Sequence, residues 1–364
     1  MDLTEFATGA GVTLATSADC PGLTEAIEAG SVTWSDGAHI WEGAVDAATT
    51  CLFHVVGELN AIEWAPQGDR MLVNNRLVVG GPANGKVAPA GIEWSFTAPT
   101  GLNLIGIDDG RLVKWLSGTN AVTVIDPISN HATVAYHPSG LHLAVGGTEQ
   151  PEDADLDPTD GIFITGSDGA DPVNLVLGLG ATIRDISFAN DGSQMYFIAE
   201  HDGLIHFHST LMIPDVVEDT LVLGAGAEEW ATTHATASGG GRIEFAKTIV
   251  HPTLPSVAAW TTAQCEPVGS RGFQIIAGAD ASLVQAIGPA SAIGFLNSDP
   301  TRVIVVAVSG SCNGLRDVGF MTASLETGET NNVPIAGNVT VAAVRNISAP
   351  HKHDLVGVEI VGFA

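Results

Sequence analysis

The sequence predicts an all-β chain, a seven-bladed β-propeller of four-stranded blades whose last blade is closed by N- and C-terminal strands. Three observations predict it. A short pattern, an apolar or aromatic run entering a Pro or Asn turn and a second apolar run leaving it, recurs along the whole chain. Its copies centre on residues 66, 99, 138, 190, 252, 297 and 350, so successive copies stand 33 to 62 residues apart. Two further apolar runs follow most copies, and four short strands at this period read as propeller blades.

The elements follow in chain order. Residues 1–30 fit no strand and are expected to form a peripheral arm, leaving 31–364 as a single propeller domain. His39-Ile40-Trp41-Glu42-Gly43 and Cys51-Leu52-Phe53-His54-Val55-Val56 precede the first turn and read as third and fourth strands of the last blade. The clearest repeats are Ala61 to Gly68 before Met71-Leu72-Val73, Thr133 to Gly140 before Leu141 to Val145, and Ile186 to Gly192 before Met195 to Ile198. In each, alternating apolar residues make the strands, Pro presets φ at the turn, and Gly or Asn supplies positive φ. Gly161 to Thr165 and Val173 to Leu177 give the third blade its outer pair. The copies at Pro99, Pro252, Asn297 and Pro350 are weaker. After Pro350 only Asp354 to Val361 can follow as a strand, so the N-terminal pair must complete the last blade and cover its edge.

This strand, Pro or Asn, Gly, strand pattern resembles the repeat of TolB-type and WD-like β-propellers, whose hairpins carry a Ser-Pro-Asp-Gly-like turn. The resemblance spans roughly residues 31–364, although Pro252-Thr253-Leu254-Pro255 and Asn297-Ser298-Asp299-Pro300 lack the glycine. It implies a ring used as a binding platform, in some members a metal-holding lyase, in others one module of a peptidase. No Gly-x-Ser-x-Gly elbow supplies peptidase chemistry.

Composition narrows the partners. The 41 acidic and 13 basic side chains give a formal charge of −28, and no basic stripe exists to displace counterions from phosphates. Nucleic acid is excluded on that ground and anionic membranes are disfavoured. Hydrophobic residues at 45% against 15% charged describe a packed globular chain, not an acidic disordered one. No apolar stretch is long enough to span a membrane as a helix, and Met1 to Glu5 lack a signal peptide's basic head.

Two segments offer ligands. Between the second and third strands of the third blade, Asp153, Asp155, Asp157 and Asp160 crowd four carboxylates into eight residues. Carboxylates alternating in this way can curl around Ca²⁺, which takes six to eight oxygens, or can form a solvated acidic loop. Between blades, the segment from Gly224 to Gly241 reads as the longest inter-blade loop, and its Glu228, Glu229, Trp230 and His234 are candidates for a ligand surface. A linker is the competing reading.

Histidines and cysteines complete the inventory. His201, His206 and His208 cluster, with alternation placing His206 and His208 on one side of a strand, where they fit either a transition-metal pair or blade packing. His351-Lys352-His353-Asp354 is assigned to the last A–B turn, and His131, His137 and His142 surround the third. Arg184-Asp185 and Arg316-Asp317 read as structural ion pairs. Cys20 with Cys51, and Cys265 with Cys312, read as disulfides or as four buried thiols, with no C-x-x-C metal motif.

The function expected is therefore a non-enzymatic extracytoplasmic propeller, secreted, periplasmic or cell-surface, that binds a protein or glycan and stands as a monomer or as a module of a larger surface protein. The competing reading is a metal-dependent lyase or hydrolase with its site on the propeller axis; a purely architectural module is the third.

Overall fold

The computed structural model describes residues 2–24, 31–44, 48–65, 68–96, 104–109, 111–116, 121–124, 128–139, 141–149, 159–166, 173–174, 181–189, 191–201, 204–215, 220–223, 228–234, 243–250, 257–264, 272–277, 282–287, 292–296, 302–309, 317–324, 330–335, 339–345, 347–348 and 352–353. Their strands group into seven antiparallel sheets, with a single 3₁₀ turn at Gly81–Ala83 and no α-helix among the described residues.

Six sheets are each built around one stretch of chain, and in each the first strand begins a meander. These first strands are Ile62–Trp64, Glu93–Phe96, Ile128–Tyr136, Thr182–Phe188, Ile243–Val250 and Ala292–Leu296. Val341–Arg345 lies beside Ile62–Trp64, which neighbours Glu93–Phe96. Further round, Ile128–Tyr136, Thr182–Phe188, Ile243–Val250 and Ala292–Leu296 follow one another in the same way. First strands that neighbour one another in chain order are the inner wall of a propeller.

The reason these strands read as near-continuous apolar runs is that the closing sheet and those that follow it bury residues on both faces, as the cores of the closing to fourth sheets show. Met71 and Val73 join Ile40, Phe53 and Val341 in the core between the closing and first sheets, while Leu72 joins Trp94, Leu104 and Trp115 in the next. Ile105, on the other side from Leu104, meets Val134, Tyr136 and Phe163. Ala135, between Val134 and Tyr136, meets Ile186 and Phe197 of the fourth sheet. Each strand thus feeds two cores, one per face.

The repeated turns share one geometry. The Ala65 N–H donates to the Arg70 carbonyl at 2.9 Å, the His137 N–H to His142 at 3.0 Å, and the Ala189 N–H to Gln194 at 2.8 Å. The same five-residue step closes all three, and the turn glycines Gly68 and Gly192 have φ of +67° and +75°. At Gly192 a side chain is excluded twice, because a Cβ there would lie 2.3 Å from His137 Nε2 of the neighbouring sheet.

The closing sheet departs from expectation. Its order runs Val341–Arg345, Ser31–Ser35, His39–Gly43, Thr50–Gly57, Val12–Thr16, Thr4–Gly9. The C-terminus contributes one strand to it and the N-terminus five, rather than two and two. Ser31–Ser35 is the strand that pairs with Val341–Arg345, from Ser31 opposite Arg345 to Ser35 opposite Val341. Residues 1–30, expected to hold no strand, supply the outer hairpin Thr4–Gly9 and Val12–Thr16. Its turn passes through Ala10 and Gly11, both at positive φ, as a tight hairpin with right-handed twist demands.

The C-terminal segment is the second correction. Ile347–Ser348 pairs with Phe295 and Leu296 of the sixth sheet, and Lys352–His353 with Val134 and Ala135 of the third. Lys352 and His353 therefore add to the inner edge of another sheet instead of forming the last A–B turn. The proposed strand 354–361 lies outside the described residues. The first sheet has three strands among the described residues, Ile62–Trp64, Met71–Val73 and Leu77–Val79.

Candidate functional site

The acidic segment joins the second and third strands of the third sheet. Asp153, Asp155 and Asp157 lie outside the described residues. Asp160 is the second residue of Thr159–Gly166 and sits opposite Thr148. The neighbouring fourth sheet makes its corresponding connection between Gln194–His201 and Leu204–Asp215, so both connections open on the same side of the molecule.

Glu228, Glu229, Trp230 and His234 do not lie in an inter-blade loop. Glu228–His234 is a strand antiparallel to Leu204–Asp215, with His234 opposite Leu204, Glu229 opposite His208 and Glu228 opposite Ser209. Ala231 pairs with Phe207 and Glu229 with the next residue, so Trp230 is the extra residue of a bulge. The segment's β-branched and aromatic residues signal a strand, but the flanking glycines 224, 226 and 239–241 mask it in the sequence.

His206 and His208 share a face as their spacing requires, with ring centroids 5.8 Å apart and planes 21° from parallel. His208 also stacks on Phe197 at 5.0 Å, so this face carries both imidazole and apolar packing. Among the described residues no group of three or more His, Cys, Asp or Glu side chains is disposed around a metal position.

A second polar centre, invisible to sequence reasoning, lies at the ring seam. Glu42 and Arg345 are 2% and 1% exposed, and Arg345 Nη1 donates to both carboxylate oxygens at 2.9 Å. The remaining guanidinium donors reach main chain, Nε to the Gly68 carbonyl at 2.8 Å and Nη2 to that of Thr24 at 2.7 Å. Ser31 and Thr24 hydroxyls donate to Glu42, and the guanidinium lies 4.1 Å above the Trp64 ring. Trp64 in turn donates to Thr33 Oγ1 at 2.9 Å. One buried network therefore joins the N-terminal strands, the first blade and Val341–Arg345. Its only sequence signal is a charge inside each of two apolar strands.

A third cluster decorates the outer part of the closing sheet. The Cys20–Cys51 disulfide forms as paired in the sequence, whereas Cys265 and Cys312 lie outside the described residues. Close to it the Ser17 hydroxyl accepts from the Cys20 N–H and lies 2.9 Å from His54 Nε2, and His54 contacts His39 with centroids 5.0 Å apart. Burial opposes ionisation of Asp36, but hydrogen bonds from Trp41, Ala38 and His39 outweigh it and hold the carboxyl below its ordinary range.

His137 bridges the third and fourth sheets. Ser139 N–H donates to its Nδ1 at 3.2 Å, which leaves Nε2–H to donate to the Gly192 carbonyl at 3.2 Å. Burial pushes its pKa down, opposed by the Gly192 carbonyl, with nearby His142 adding to the fall and Asp191 resisting it. Burial thus favours the neutral imidazole. Asp185, of the Arg184-Asp185 pair, is buried at 2% exposure.

Seven sheets, continuous two-faced cores and a seam closed by both chain ends define a β-propeller. Solved structures agree with that fold. The chain is similar to a putative 6-phosphogluconolactonase from Bacteroides fragilis at 10% identity, covering 88% of this chain and 99% of that one, with a TM-score of 0.51. It is also similar to a putative TolB from Agrobacterium tumefaciens, at 14% identity over 79% of this chain and 99% of that one, TM-score 0.44. A third similar structure is the Cps50 (Swd1) β-propeller domain of Myceliophteria thermophila, at 12% identity over 86% and 98%, TM-score 0.45. No family model and no curated protein matches the sequence.

Proposed function

We propose that this protein is a non-enzymatic, extracytoplasmic propeller that binds a protein or glycan through the side of the ring bearing the acidic connection of the third blade. The observation that supports it most is that the strands bounding that connection, His142–Glu149 and Thr159–Gly166, belong to a sheet adjoining the one that carries Glu228–His234, on a scaffold whose seam is locked by a buried ion pair. Rigid blades carrying variable connections are where binding is placed in such folds. A formal charge of −28 steers cationic or neutral partners and repels anionic ones.

The disulfide Cys20–Cys51 supports an oxidising compartment. No helix among the described residues is long and apolar enough to cross a membrane. Calcium held by Asp153, Asp155, Asp157 and Asp160 belongs to the same proposal, as a brace for the acidic connection. A lyase or hydrolase site on the axis has to share that space with Ile347–Ser348 and Lys352–His353, which pair with inner strands.

The test is a glycan array and a cationic-peptide array probed with the wild-type chain, with a variant carrying Asn at the four aspartates, and with Glu228→Gln/Glu229→Gln/Trp230→Ala, each with and without Ca²⁺. Wild-type binding to one class that both variants lose is the expected result. Binding that neither variant weakens overturns the surface, and turnover of an arrayed glycan overturns the non-enzymatic reading.

A further inference from the structure

The inner strand of each blade turns one main-chain edge toward the ring's axis, and two of these edges are taken. A sheet edge accepts a further strand because its N–H and C=O groups have no ladder partner. Lys352–His353 pairs antiparallel with Val134 and Ala135, on the side of Ile128–Tyr136 away from His142–Glu149. Ile347–Ser348 pairs in the same way with Phe295 and Leu296, on the side of Ala292–Leu296 away from Arg302–Ser309. Among the described residues no other inner strand carries such an addition.

The third and sixth sheets are not neighbours, since Thr182–Phe188 and Ile243–Val250 stand between them in the inner wall. The two short strands therefore belong to a crossing of the ring's interior. Ser348 and Lys352 are four residues apart, which bounds the distance between them at about 14 Å. With about 5 Å across each strand pair, Phe295 and Ala135 stand within about 24 Å of each other. One extended segment of about seven residues thus reaches both edges.

What holds the crossing is main chain. Val134 and Ala135 lie in two different cores, one on each face of their sheet, and both are fully buried. Their side chains are committed to blade packing, so the edge offers a ligand its N–H and C=O groups. That is recognition by strand addition, in which an extended peptide joins a sheet edge. The hold is short. Ile128–Tyr136 meets His142–Glu149 through six residue pairs but Lys352–His353 through two. Of two successive antiparallel pairs one exchanges both hydrogen bonds, so each end is released by breaking about two bonds while the blade's own ladder stays intact.

The sequence adds a sign. His351-Lys352-His353 sets one of the chain's four lysines between two histidines, in a molecule of formal charge −28. A negative field of that size favours a basic segment and repels an acidic one.

We propose that the inner edges of the third and sixth blades form a strand-addition site for an extended basic peptide, and that Ile347–Ser348 and Lys352–His353 are its built-in, displaceable occupant. The chain thereby competes with its own ligand. The site shares no residue with the acidic connection of the third blade or with Glu228–His234, and it is tested separately from that surface.

The test is fluorescence anisotropy of a labelled synthetic peptide with the sequence of residues 346–354, titrated with the full chain and with two variants, Lys352→Pro/His353→Pro and Ile347→Pro/Ser348→Pro. Proline has no N–H to donate, so each variant frees one edge. A short tether holds its ligand at millimolar effective concentration, so a peptide of about 10–100 µM affinity should bind a freed edge about 10- to 100-fold more tightly than it binds the unaltered chain. Hydrogen exchange should rise at Val134 and Ala135 in the first variant and at Phe295 and Leu296 in the second. Circular dichroism checks that each variant folds, and either one alone carries the measurement. The peptide with Lys352→Glu should bind more weakly, and the peptide with proline at all four positions should not bind. Equal affinity for the unaltered chain and the variants, no binding to the variants, or undiminished binding of the glutamate or proline peptide overturns the proposal.

Discussion

Arg345→Met removes the charge at the ring seam while keeping most of the side chain's volume. It leaves Glu42, 2% exposed, without its cation, and the Gly68 and Thr24 carbonyls without donors. Breaking a buried ion pair from one side costs about 3–5 kcal/mol. The orphaned carbonyls push the cost toward the upper end, because a buried acceptor left unpaired is itself worth about 1–3 kcal/mol. The reversal is equally specific. Replacing both charges, as in Glu42→Met with Arg345→Met, removes the desolvated carboxylate too and should recover most of the loss. Urea unfolding of the two single variants and the double, at one pH and with the disulfide intact, gives the coupling energy directly. Hydrogen exchange at Ser31–Ser35 and Val341–Arg345 then reports whether the seam opens locally before the rest. A cost below about 1 kcal/mol for Arg345→Met, or a double variant as unstable as the sum of the singles, would refute the network as the seam's lock.

Gly192→Ala should cost about 2–4 kcal/mol in urea unfolding, since the residue sits at φ +75° with His137 where a Cβ would go; a loss under about 1 kcal/mol contradicts the packing. Burial lowers the folded pKa of His137 below the unfolded value of about 6.5. As pH falls below that value the unfolded chain binds the proton first, and stability should decline. His137→Gln should flatten that slope; an unchanged pH profile places the titration elsewhere. Reducing Cys20–Cys51, which closes a 31-residue separation, should lower stability by about 3–4 kcal/mol, and an unmoved urea midpoint would show that the N-terminal hairpin is held by packing alone.

What the sequence makes legible is what repeats. The turns at Pro66, Pro138 and Asn190 carry Pro, Asn and Gly for conformational reasons, and the structure closes all three with the same hydrogen bond. The strands it hides are those whose stabilisation comes from elsewhere. Ser31–Ser35 looks polar, yet all five residues are buried, because Ser31 bonds Glu42, Thr33 receives Trp64 and Ser35 donates to the His39 carbonyl. Thr4–Gly9 is a largely exposed edge strand with Val12–Thr16 just inside it, and their turn uses Ala10-Gly11 instead of the Asn-Gly that marks such hairpins. The seam's ion pair is a product of register over a long separation, which no local pattern records. The acidic connection was visible as composition, but its partners depend on which blade stands next to it.

The closing sheet also sets a timetable. Its N-terminal strands leave the ribosome first, and their free edge, Ser31–Ser35, has no neighbour until Val341–Arg345 is made about three hundred residues later. Throughout synthesis that edge is a template for other strands, and Glu42 waits without its cation. The growing chain is therefore an open arc with a sticky end, and every blade added lengthens the gap that Val341–Arg345 must close. Truncation anywhere before Arg345 yields not a smaller ring but an unfinished one, exposed at the strand made earliest.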